Sequence, residues 1–147
     1  ESDAGPLPHG LLRSHRRLRR RGFGTRDSYW EDAMKVVLLA FEGEPMCFVH
    51  VLLNAIDLAD KDREVAVIIE GAATKLIVEL ADESKPFANL YAEVKERGLI
   101  KAVCKACAAK MGALDAAKEQ GLPIVGDMKG HPALEPWLAK GYQVITF

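Results

Sequence analysis

From Lys35 to Phe147, short apolar runs alternate with segments of helical periodicity, and few folds accept that alternation. Residues 35–41 read K-V-V-L-L-A-F, the unbroken apolar run of a strand buried on both faces. The stretch Glu42, Gly43, Glu44, Pro45 interrupts it. Val49, Leu52, Leu53 and Ile56 then recur at the spacing of one buried helix face. Residues 64–70 (E-V-A-V-I-I-E) repeat the strand pattern up to Gly71, and Ala73, Leu76, Ile77 and Leu80 repeat the helical one. A third stripe, Phe87, Leu90, Tyr91 and Val94, lies between the start signals Ser84 and Pro86 and the stop signal Gly98. Residues 100–103 form the next strand, and a helix runs from about Lys105 to Glu119, stopped by Gly121. Residues 122–125 make a fourth strand, Leu134, Trp137 and Leu138 one face of a short helix, and residues 142–147 the last strand.

Strands separated by helices require crossover connections, hence a parallel sheet covered on both faces. The expected fold class is α/β, a three-layer α/β/α domain with a mostly parallel sheet of about five strands in a Rossmann-like layout. A chain of 147 residues that is 49% hydrophobic supplies one such core. The domain is expected over residues 34–147. Residues 1–33 lack apolar periodicity and hold seven of the nine arginines, with the run R-S-H-R-R-L-R-R-R from Arg13. They are read as a basic, disordered extension, derived from expression or from upstream of a natural start at Met34. Their acidic residues (Glu1, Asp3, Asp27, Glu31, Asp32) argue against a transit peptide.

Charge is balanced, 20 basic against 21 acidic residues, and the body after residue 33 shows no basic surface for nucleic acid. No apolar run approaches the roughly 20 residues that span a bilayer. Three cysteines make no disulfide framework and suit a reducing, cytoplasmic setting. No G-x-G-x-x-G or G-K-[ST] follows any strand, which argues against a nucleotide enzyme.

In open parallel sheets ligands bind beyond the carboxyl ends of the strands. Four segments fall there: residues 42–47, 70–72, 104–107 and 126–131. Cys104 ends the third strand where helix amides begin, a position that favours a thiolate, so its pKa is expected below the roughly 8.5 of a free cysteine. Cys107 falls one turn on and can face it. Packing as small apolar residues is the plainer reading of both. In the loop G-D-M-K-G-H-P, Asp127, Lys129 and His131 could polarise or protonate a group held at Cys104, with Glu44 assisting from the first loop. Alternatively, Asp127 and His131 only shape the turn. No metal or cofactor is expected. The competing arrangement joins Cys47 and His50 to Cys104 and Cys107 as four zinc-type donors.

The strand ending in Cys104, followed by A-x-x-x-x-M-G with Gly112 eight positions on, resembles the DsrE/DsrF-like family, including its sulfur-relay members of the TusD type. The first apolar strand, the turn at Gly43 and Pro45 and the closing strand match as well, so the resemblance spans residues 34–147. It implies an α/β/α domain assembling into a homo-oligomer, a trimer or hexamer, with Phe87, Tyr91 or Trp137 at a subunit contact. For sulfur-relay members it further implies a persulfide on the cysteine matching Cys104, handed to a sulfur-carrier protein. Cys107 and the G-D-M-K-G-H-P loop depart from that pattern. A dithiol redox protein using both cysteines and a non-catalytic binding module are the competing functions.

Overall fold

The computed structural model describes residues 34–147, and the expected extension over residues 1–33 lies outside the described residues. Five strands form one sheet: β1 (Lys35–Ala40), β2 (Glu64–Ile69), β3 (Ile100–Cys104), β4 (Ile124–Val125) and β5 (Tyr142–Thr146). Their order is β4-β3-β2-β1-β5 and every pairing is parallel. Helices lie on both sides, as the alternating pattern requires.

Helix α1 (Pro45–Asp60) follows β1. It buries Phe48, Val49, Val51, Leu52 and Ala55, whereas Leu53 is 46% exposed. Val49 and Leu52 lie on the buried face as expected, and Phe48, Val51 and Ala55 widen it on the side away from Leu53. After β2 a 3-10 turn (Gly71–Lys75) runs into α2 (Leu76–Glu79), and α3 (Ala88–Glu96) follows. Ser84 does not cap α3. It bonds instead to Asp82, and Phe87, at φ 70, occupies the cap position.

The long helix expected after Cys104 is two helices, α4 (Lys105–Lys110) and α5 (Leu114–Glu119). Gly112 makes the break at φ 71. The Ala113 amide donates to Ala108 O at 2.8 Å and the Gly112 amide to Ala109 O at 3.3 Å, the paired bonds of a Schellman stop. Ala113, fully buried, then packs into the core. Strand β4 is shorter than expected because Pro123 has no amide to give, although its carbonyl still accepts from Val103 N at 2.8 Å. The short helix α6 (Glu135–Ala139) precedes β5.

The two sheet faces are unequal. One carries the main core, where Val36, Leu38, Val67, Ile69 and Val103 meet the helices α1 to α5 through residues such as Leu52, Leu76, Ile77 and Tyr91. The other carries Val37, Leu39, Ala66, Ile68 and Ala102, packed by Leu134 and Trp137 beside Tyr142 and Val144. Tyr91 belongs to the first core. It is 1% exposed and its hydroxyl bonds to Gln120 Oε1 at 2.8 Å, so it cannot serve the subunit contact expected of it.

Candidate functional site

The carboxyl edge of the sheet gathers its chemistry at β3. Cys104 has extended φ and ψ (−62°, 117°) and is the N-cap of α4, its Sγ accepting from the Cys107 amide at 3.4 Å. The loop after β4 folds down on α4. Gly126 O accepts from Gly130 N at 3.0 Å, and Met128 and His131 exchange two backbone bonds. Gly130 O then accepts from Ala106 N at 2.9 Å, pinning the loop to the first turn of the helix. This approach needs glycine: Gly130 sits at φ 97, and a Cβ there would lie 3.2 Å from the Ala106 Cβ.

The pinned loop delivers His131. Its Nδ1 lies 3.1 Å from Cys104 Sγ and 3.8 Å from Cys107 Sγ. Glu70, just past the end of β2, completes the group. One donor atom from each of Glu70, Cys104, Cys107 and His131 lies within 4.8 Å of all the others. A cavity of about 440 Å³ adjoins it, lined by Phe41, Ala72, Cys107, Lys110, Met111 and His131 among others. Cys107 and His131 are half-buried and face this space, while Cys104 behind them is fully buried.

Burial decides the electrostatics. It pushes the Cys104 thiol up to about 11, the opposite of the depressed value expected from its place at a helix start. The Cys107 amide pulls the other way, but the Cys107 side chain and the Glu70 charge add to the rise. A single long N–H···S contact does not offset the loss of water around a charged sulfur. Glu70 is also raised by burial, with His131 opposing. Chemically, the group pairs an uncharged thiol with an imidazole able to take its proton. It also puts two sulfurs, a nitrogen and a carboxylate oxygen within reach of one ion.

The other candidates fall away from this group. Glu44, Cys47 and His50 are exposed around the start of α1, after β1, which β2 separates from β3. The donors that meet Cys104 and Cys107 are therefore Glu70 and His131, not Cys47 and His50. Asp127 Oδ1 accepts from Ala133 N at 3.2 Å, a turn-shaping role. Lys129 is exposed at φ 50 in the loop. Glu70 was not singled out from sequence. Its one signal was a charged residue closing an apolar run at the carboxyl edge.

Residues 33–147 match the DsrE/DsrF-like family. The chain is 32% identical over 118 residues to the uncharacterized protein MJ0733 of Methanocaldococcus jannaschii, covering 76% of this chain and 94% of that one. Among solved structures it is similar to a conserved protein of unknown function, BT1422 of Bacteroides thetaiotaomicron. The TM-score is 0.51 at 16% identity, over 76% of this chain and 94% of that one, a likeness of fold.

Proposed function

We propose, from the premise that this chain belongs to the DsrE/DsrF-like family, that it carries sulfane sulfur as a persulfide on Cys104. The observation that supports this reading is the 3.1 Å contact between Cys104 Sγ and His131 Nδ1. A thiol with a high pKa needs a base at the moment of reaction, and an imidazole at hydrogen-bond distance is one. In the transfer, Cys104 sulfur attacks the outer sulfur of a donor persulfide R–S–SH. A new S–S bond forms at Cys104, the donor S–S bond breaks and the thiolate RS⁻ departs. The Cys104 proton moves to His131 Nδ1 and from there to the departing thiolate. The step is redox-neutral and needs no further reactant. The adjoining cavity gives room for a donor, which meets buried Cys104 when the Cys107 and His131 side chains between them move aside, and exposed Phe41 and Met111 at its lining suit contact with a sulfur-carrier protein.

Incubation with a sulfane-sulfur donor followed by mass spectrometry tests the reading. The expected result is one added sulfur on Cys104, absent in Cys104→Ser and retained in Cys47→Ser. Failure of the wild-type chain to gain sulfur overturns it. A second reading rests on the two sulfurs lying within 4.8 Å: a dithiol that closes to a Cys104–Cys107 disulfide. Loss of two hydrogens on mild oxidation, without sulfur uptake, supports that one. The proposal extends to a homo-oligomer, and a monomer mass by light scattering at micromolar concentration overturns that part.

A further inference from the structure

We infer that Cys104, Cys107, His131 and Glu70 form a binding site for a tetrahedral divalent transition-metal ion, zinc above all. The donor set comes from three separate parts of the fold: the end of β2, the junction of β3 with α4, and the loop after β4. Nothing in the packing of a small apolar cysteine requires an imidazole and a carboxylate to converge on it. Two thiolates, an imidazole nitrogen and a carboxylate oxygen are the ligand types of tetrahedral zinc sites.

The spacing agrees with the chemistry. Zinc bonds of about 2.3 Å to sulfur and about 2.0–2.1 Å to nitrogen imply ligand-to-ligand edges of roughly 3.3–3.8 Å in a tetrahedron. The imidazole nitrogen lies 3.1 Å from one sulfur and 3.8 Å from the other. All four donor atoms fall within 4.8 Å of one another, so changes of no more than about 1.5 Å on any edge close the tetrahedron. The supporting bonds are already in place. The Cys107 amide donates to Cys104 Sγ, orienting a sulfur that an ion would hold. The Ala106 to Gly130 bond and the Met128–His131 pair fix the backbone that carries the imidazole. The half-buried Cys107 and His131, facing the cavity, provide the path by which an ion arrives. The bound ion draws electron density from the Cys104 sulfur that transfer uses, so metal binding opposes persulfide formation. The metal site itself does not depend on sulfur transfer.

The test is a titration of the full-length, reduced, chelator-treated protein with Co²⁺, read by the ligand-field and thiolate charge-transfer bands of tetrahedral cobalt, then displacement by Zn²⁺. One ion per chain is expected. Cys107→Ser and His131→Ala lose at least about tenfold in affinity, as does Glu70→Gln, while Cys47→Ser binds as the wild type does. Because a variant can fail to fold, the wild-type chain is also alkylated with and without equimolar Zn²⁺. Protection of Cys104 and Cys107 but not Cys47 supports the site. No cobalt bands at tens of micromolar protein, binding indifferent to His131→Ala, or alkylation unchanged by zinc overturns it. No sulfur donor is present, so the outcome is independent of the persulfide experiment.

Discussion

Cys104 shows how position and environment can point a single residue in opposite directions. Its place at the junction of a strand and a helix argues for a ready thiolate, while its full burial holds the proton on. Burial is a tertiary property: it depends on the loop of residues 126–131 closing over α4, which no spacing within residues 100–112 reveals. The same closure makes His131 the partner of Cys104 and leaves Asp127 to the turn. The prediction concerns alkylation of the metal-free protein. Below pH 9 exposed Cys47 reacts first, half-buried Cys107 next and Cys104 last, and the Cys104 rate keeps climbing with pH, reaching half its maximum at about pH 11. The sign for stability follows from the same shift. A thiol raised in the folded chain binds its proton more tightly there than when unfolded. The resulting stabilisation is whole below about pH 9 and is lost as pH rises through about 11. The urea midpoint of the metal-free wild type should fall across that window more than that of Cys104→Ser. Peptide mapping that finds Cys104 alkylated first at neutral pH would restore the activated-thiolate reading.

At the scale of elements, the strands were legible because each is an apolar run of a few residues, and the sheet pairs all five in parallel. Helix limits were less so. Gly112 was visible in the sequence, but the Ala-rich stretch on either side of it supports a helix equally well through or around a glycine. What ends α4 is the left-handed turn there and the burial of Ala113, a choice made by packing. Gly112→Ala and Gly130→Ala separate the two parts of such an effect. A Cβ at Gly112 meets nothing within 4 Å, so only backbone strain at φ 71 is felt, about 1 kcal/mol of lost stability in urea unfolding. At Gly130 a Cβ also presses on Ala106, at φ 97. The loop must lift, so Gly130→Ala should cost more, about 2 kcal/mol, and should also change His131. A His131 imidazole resonance that shifts in Gly130→Ala and stays fixed in Gly112→Ala, read by NMR at one pH, is the expected result.

The molecule as a whole rests mainly on one face of its sheet. Crossovers from β1 to β2, β3 and β4 run in one direction and put α1 to α5 on the same side, while the return from β4 to β5 past β1 puts α6 on the other. The sequence announces both layers but not their inequality, because strands with apolar residues on both faces look alike whether five helices or one cover a face. Leu52 and Leu134 report on the two sides. Leu52, fully buried, sits in the main core between α1 and the sheet, where its neighbours cannot close over a deleted side chain. Leu134 is half-buried before α6, packed against the smaller cluster, and water already reaches part of it. Leu52→Ala should therefore lose about 3–4 kcal/mol, within the range for buried leucines, and Leu134→Ala about 1 kcal/mol. Both should leave the urea m-value unchanged, since neither alters the surface exposed on unfolding. Equal losses at the two positions would mean that the second face contributes to the core on the same footing as the first.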